Sequence, residues 1–450
     1  MKKFAKLLFL SVFSLLVSSC TNTQIPTTSS SNSDEVVESS TSVEVTDESS
    51  SLGELVDYVS QVKFDPNDTS KVYAEVTVKN FIDGDTTHFL PKGNPSSWVD
   101  TPDNTLKARY NSVDTPESTG KVEAWGKKAA HYTRTALEGA QSIIVQSDSD
   151  KWETDSTGER HLVWVWYRNS ATEDYSLLNL ELIQEGLAKL KSASSYSLYE
   201  VFSKANMQAM THQIKVYSTE KDDWYYYGAA QTITMKELRL NVDTYANTKI
   251  SVEGLITVYD KDSKMAYAEA YDGEDDRWYG MSFYLGFNTY PIIKVGNYLR
   301  LVGTLQYYEI GQSWQVSGLS YHRMDPDYEG SMKLLEKDQE VVAHEIDYAE
   351  LSANSNALMS TYVEMKQLTV KSVYTTSSTD STSNGAMTLT CKDANGNEVT
   401  IRTSVLKKGD NTLLAEEDVL NKTIDVKGIV TAYEGKVQIH VYTLNELIIA

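Results

Sequence analysis

From residue 71 apolar and polar side chains alternate. Lys71-Val-Tyr-Ala-Glu-Val-Thr-Val-Lys79 has the period of two expected of a half-buried strand. Further strand-like runs fall near 109–113, at 142–146 and at Val163-Trp164-Val165-Trp166. The period then changes. Ala124 to Leu137 carries small and apolar residues at helical spacing, Leu177 to Leu187 concentrates leucines, and Tyr199 to Ile214 aligns Phe202, Ala205, Ala209 and Ile214 on one side. Strands followed by helices in one block predict an α+β domain with a small barrel over residues 71–220.

The remainder is strand-rich. Residues 249–259, 297–308 and 423–433 are alternating runs interrupted by Gly254, Gly303 and Gly428. A glycine in mid-strand lets a sheet bend. These stretches resemble the coiled strand of oligonucleotide/oligosaccharide-binding (OB) barrels. We read two diverged OB-like domains, 230–325 and 357–450, joined over 326–356 by a helical connector carrying Met332, Leu334 and Leu335. Trp278, Tyr284, Tyr307, Tyr308 and Trp314 are candidate stacking faces for bases, or else barrel core. Asp393-Ala-Asn-Gly396-Asn-Glu398 reads as a hairpin turn rather than a metal loop, and Asp272 to Asp276 as a solvated acidic loop.

The N-terminus predicts a compartment. Met1-Lys2-Lys3 is basic, Leu7 to Val17 is apolar and too short to span a bilayer comfortably, and Leu16-Val17-Ser18-Ser19-Cys20 closes the run. This predicts a signal peptide over 1–19. Small residues before a cysteine resemble a bacterial lipobox, which implies cleavage before Cys20, a lipid on Cys20 and a chain held at the outer face of the cell membrane. Residues 20–53 then read as a disordered Ser/Thr-rich acidic linker, because they cannot bury enough apolar surface to offset their ordering entropy.

Composition narrows the function. Forty-one Lys and Arg against 63 Asp and Glu leave a net charge of −22, which excludes a general polyanion binder. Two Cys and seven His provide neither a disulfide framework nor a set of zinc modules. Twenty-nine Tyr against eight Pro favour strands. The acid is uneven: residues 71–220 carry 16 basic and 20 acidic side chains, residues 20–70 carry 1 and 10, and residues 221–450 carry 21 and 33.

Candidate chemistry sits in three segments of the first block: Ile82-Asp83-Gly84-Asp85-Thr86, Arg109 through Glu117, and Asp155 through Leu162. Hard cations are bound by carboxylate and carbonyl oxygens. Phosphodiester cleavage adds a carboxylate that activates water and guanidinium groups that hold the phosphate as its charge grows. The three segments contain that whole set.

Their order and spacing resemble the thermonuclease (staphylococcal nuclease-like) family. The pattern Arg109…Val113-Asp114-Thr115-Pro116-Glu117 is complete, and Asn179-Leu180 through Gly186-Leu187-Ala188-Lys189 resembles the family's helix ending in Gly-Leu-Ala. An upstream copy, Val99-Asp100-Thr101-Pro102, lacks the arginine and the glutamate and reads as part of an inserted hairpin. The resemblance spans about a third of the chain. It implies Ca²⁺ held by Asp85, Asp114 and the carbonyl of Thr115, Glu117 as general base, and Arg109 with Arg160 as phosphate clamps. Two departures stand out. Glu159 is an extra residue before Arg160, to be absorbed in a bulge, and Thr157 and Ser192 stand where the family commonly has tyrosines, with Tyr196 and Tyr199 as nearby substitutes.

The reading is therefore an α+β, β-rich chain: a staphylococcal nuclease-like OB barrel with helices, followed by two further OB-like β-barrel domains. The expected activity is Ca²⁺-dependent hydrolysis of extracellular DNA, with RNA as a second substrate class, and no obligate protein partner is evident. The competing expectation is a non-catalytic surface lipoprotein that binds nucleic acid or glycan.

Overall fold

A computed structural model describes residues 53–95, 98–99, 101, 103–191, 194–286, 288–309, 311–377 and 382–449. The predicted signal peptide, Cys20, the linker up to residue 52, and Asp100, Pro102 and Ser192 lie outside the described residues.

The first barrel is built from β1 (Tyr73–Asp83), β2 (Thr86–Pro91), β3 (Leu106–Tyr110), β4 (Ser142–Gln146) and β5 (His161–Arg168). Antiparallel pairs join β1 to β2, β2 to β3, β4 to β5 and β1 to β4, and a parallel pair, β3 with β5, closes the ring. Closure removes the exposed edges that an open sheet would present. Helix α1 (Gly126–Glu138) connects β3 to β4, while α2 (Leu178–Gln184) and α3 (Tyr199–Thr211) follow β5. Val163 to Trp166 are buried on both faces, since interior residues alternate with residues covered by the helices. Asn179 locks that cover in place. Its amide donates to the carbonyls of Asn111 and Val163, both at 3.0 Å, and accepts from the Val165 N–H at 2.8 Å. Each of these buried polar groups is thereby satisfied.

Two more barrels repeat the same strand order. The second comprises β6 (Lys249–Asp260), β7 (Met265–Asp272), β8 (Arg277–Tyr284), β9 (Tyr298–Tyr308) and β10 (Ser313–Ser317), and the third β11 (Tyr362–Thr375), β12 (Met387–Lys392), β13 (Glu398–Thr403), β14 (Thr423–Tyr433) and β15 (Lys436–Val441). In each, the third strand pairs in parallel with the fifth, and the fourth returns to pair with the first. The fold is β-rich with closed five-stranded, OB-like barrels, and each barrel has its own apolar core. Gly303 supports the reading of mid-strand glycines: a β-carbon there would stand 2.7 Å from Val316 Cγ1 and 2.8 Å from the Ser317 carbonyl.

The connector corrects one expectation. Lys333–Glu336 is a strand that extends the second barrel beside β9, not a helix. Helical turns occur only later, at Tyr348–Ala353 and Ser355–Leu358. Between the second and third barrels Glu269, buried on β7, accepts from the Tyr362 N–H at 2.8 Å and meets His344 Nε2 at 2.8 Å. Trp278 stacks on His344 with ring centroids 4.6 Å apart, so this ring is committed to the junction rather than free for a ligand.

Candidate active site

The site forms where the β1–β2 hairpin meets the end of β3. Thr86 pairs with Arg109, which brings the preceding residue, Asp85, beside the guanidinium. The hairpin needs a glycine between its two aspartates because a β-carbon on Gly84 would lie 2.9 Å from Thr115 Cγ2 and 3.0 Å from Ala129 Cβ. Thr133 on α1 closes this contact, donating its hydroxyl to the Gly84 carbonyl at 2.6 Å.

Arg109 bridges two carboxylates. One terminal nitrogen pairs with Asp85, and the other donates to Asp114 Oδ1 at 2.8 Å and to the Val113 carbonyl at 3.3 Å. The second oxygen of Asp85 accepts the Thr115 N–H at 2.9 Å, and Thr86 Oγ1 donates to the first at 3.1 Å. Asp85 is 1% exposed. Burial raises its pKa, against the opposing charge of Arg109 and the Thr115 hydrogen bond. Asp114 lies in a short strand, Val113–Asp114, paired with Lys189–Leu190, which places the Gly186-to-Lys189 segment next to it. Lys191 Nζ adds a second cation 3.3 Å from Asp114 Oδ1.

Asp83 accepts the Gly84 N–H at 2.8 Å and the Ser118 N–H at 3.2 Å. Its carboxyl group also meets that of Glu117. Burial, and then the neighbouring Glu117 carboxylate, push Asp83 up to about 7 against the opposing hydrogen bond from Ser118. Glu117 itself is exposed, in a loop whose backbone is closed by the Glu123 N–H on the Glu117 carbonyl at 2.9 Å. The hairpin and the two loops therefore gather Asp83, Asp85, Arg109, Asp114, Thr115 and Glu117.

Arg160 is held apart from them. Its Nε and Nη2 both lie 2.7 Å from Asp155 Oδ2. The register pairs Arg109 with Leu162, and Arg160 lies just before β5, in the turn that leads into it. Among the described residues its only ion pair is with Asp155. The extra residue is taken up by the turn at 155–160, with Gly158 at φ +75°, and not by a strand bulge. Thr157 donates its hydroxyl to Asp155 at 2.6 Å, and Tyr196 packs edge-on against Trp164. Two basic side chains of α1 are paired with carboxylates: Lys128 with Asp222 and Asp223, and Arg134 with Glu138 and Glu309.

A divalent cation fits the donor set. Asp85 and Asp114 offer hard oxygen donors on either side of one semi-buried guanidinium, and the carboxyl groups of Asp83 and Glu117 meet close by. Thr115 Oγ1 is buried without a hydrogen-bond partner, which is costly unless some other group satisfies it. Among the described residues no three acidic or imidazole side chains already converge as a metal cluster, because Arg109 stands between Asp85 and Asp114.

The fold and the crossing of carboxylates with a guanidinium define a nuclease-like domain. Residues 107–219 match the model of the staphylococcal nuclease homologue family. The match begins within β3, and the Asp83-to-Asp85 hairpin joins it through the strand pairing of the same barrel. No curated protein matches the chain.

Sequence reasoning missed Lys191 and the Asp83–Glu117 contact. Lys191 follows directly on the Gly-Leu-Ala-Lys-Leu run, and that position was the available signal. Nothing in the local pattern announces the carboxyl pair, whose members are 34 positions apart in the sequence.

Proposed function

We propose that the chain is a Ca²⁺-dependent nuclease that hydrolyses phosphodiester bonds of extracellular DNA, and of RNA as a second substrate, while anchored by lipid on Cys20 at the outer face of a bacterial membrane. One observation carries the catalytic part: Arg109 joins Asp85 and Asp114, brought together from separate loops at the barrel end where Glu117 also stands.

In this reading Asp85, Asp114 and the Thr115 carbonyl hold Ca²⁺, which supplies positive charge against the phosphate as negative charge builds on it. Glu117 takes the proton from the attacking water. Arg109 is a planar donor that exchanges a carboxylate partner for a phosphate oxygen without losing its hydrogen bonds. The test is a nuclease gel of residues 53–450 with chelator, then with Ca²⁺ or Zn²⁺ restored. Activity should disappear with chelator and return with Ca²⁺ only; full activity in excess chelator overturns the metal assignment.

A second reading, a surface module that binds nucleic acid or glycan without cleaving it, is favoured by the engagement of Arg160 with Asp155. An oligonucleotide bound but left intact in the presence of Ca²⁺ establishes it.

A further inference from the structure

The loop that carries Glu117 does not end in solvent. The carbonyl of Gly120, three residues past Glu117, accepts two hydrogen bonds from the second barrel, from Gln306 Nε2 at 3.1 Å and from Ser317 Oγ at 3.1 Å. Gln306 is 3% exposed and Ser317 fully buried, so neither donor is available to water. Gly318 makes the approach possible. It adopts φ +61°, and a β-carbon there would lie 2.9 Å from the Gly120 carbonyl oxygen and 3.3 Å from Lys121 Cα. The far end of the loop is tied down as well, through the Trp125 N–H on Asp222 Oδ2 at 2.6 Å, and Arg134 of α1 pairs with Glu309 at the end of β9.

We propose that the second barrel is a clamp for the reaction of the first, with Gln306 and Ser317 as positioning residues that fix the backbone of the Glu117 loop. The inference rests on the nuclease reading. A surface loop carrying one functional carboxylate is ordinarily among the most mobile parts of a fold. A general base must stand within hydrogen-bond reach of the water it activates, and a displacement of about 1 Å can cost ~10²-fold in rate. Two buried donors on one carbonyl hold the loop three residues from that base, and neither donor touches the reacting groups. The second barrel thus contributes through the backbone of the loop, without touching the reacting groups.

The experiment compares the chain with Gln306→Ala, Ser317→Ala and the double variant, measuring kcat and KM on a short DNA and amide hydrogen exchange over residues 118–123. The double variant should lose ~10-fold or more in kcat with KM changed less than ~2-fold, and exchange in the loop should accelerate. Each single variant leaves Gly120 one donor and should lose less. Melting temperatures identify any variant whose barrel has simply come apart, in which case the singles carry the test. Unchanged exchange shows that Gly120 is not held, and faster exchange with unchanged kcat shows that the clamp is packing alone; either result overturns the inference. An inactive wild type is a different outcome, which overturns the nuclease reading and the inference together.

Discussion

The turn between the first and second strands carries aspartates in both the first and the second barrel, and the two turns use them in opposite ways. In the first, Asp83 and Asp85 reach Arg109, Thr115 and Ser118, which lie 24 to 35 positions away in the chain. In the second, Asp260 accepts from the Asp262 N–H at 3.0 Å and from Ser263 Oγ at 2.6 Å, two and three residues on. An aspartate serving its own turn is a local cap whose function is complete within the hairpin. An aspartate that crosses the chain into a buried cluster of like charges costs desolvation that a hydrophobic residue would avoid. Proteins break the local rules in this way at functional sites. The two barrels share one strand order, and of these two turns, among the described residues, only the first sends its aspartates across the chain, so the difference lies in the loops and not in the fold.

The sharpest way to break that comparison is mutation within the first site. Glu117→Gln keeps the shape and loses the basicity, and activity should fall ~10²–10⁴-fold without a lower melting temperature, because Glu117 is exposed. Arg109→Ala should lose ~10²–10³-fold in kcat. The substitution also bears on folding, because Arg109 is the charge partner of the buried Asp85. Removing it strands a buried carboxylate, at about 3–5 kcal/mol. Steady-state kinetics and thermal unfolding of both variants measure the two effects. Equal stability losses would show that Asp85 does not depend on Arg109.

Arg160→Ala is expected to act less strongly than Arg109→Ala, since Asp155 must first release the guanidinium. A fall in kcat with unchanged KM places it at the phosphate in the transition state. Wild-type kinetics would mean that the turn at 155–160 has retired this arginine from the chemistry.

Much of this was legible in the chain. The segment Arg109 to Glu117 is contiguous, so its spacing is visible directly, and strands with a mid-strand glycine, such as 249–260 and 423–433, announce a bent sheet. The failures share a physical cause. Lys333–Glu336 is four residues long, and a short apolar run cannot distinguish strand from helix by period. The partner that decides it, β9, is more than twenty residues upstream. The commitment of Arg160 depends on how a turn absorbs one extra residue. The hold of Gln306 and Ser317 on Gly120 joins positions 186 and 197 apart, and no local pattern carries that information.

The smallest expected effect is the most diagnostic of the comparison. Asp260→Ala in the second barrel removes a turn cap, and Asp393→Ala in the third removes the acceptor of the Asn395 and Asn397 N–H groups at 2.9 and 2.8 Å. Both losses are local. Each should lower the melting temperature only slightly, because the freed N–H groups are exposed and water replaces the lost acceptor. Neither should change kcat or the Ca²⁺ concentration giving half-maximal activity, because neither carboxylate leaves its own turn. Asp85→Asn, by contrast, should raise that concentration while the β1–β2 hairpin stays paired. Ca²⁺ titration of activity, run beside thermal unfolding for all three variants, separates the two kinds of aspartate. If Asp260→Ala or Asp393→Ala moves the Ca²⁺ dependence as far as Asp85→Asn does, local against crossing use of a carboxylate fails as a criterion for the site.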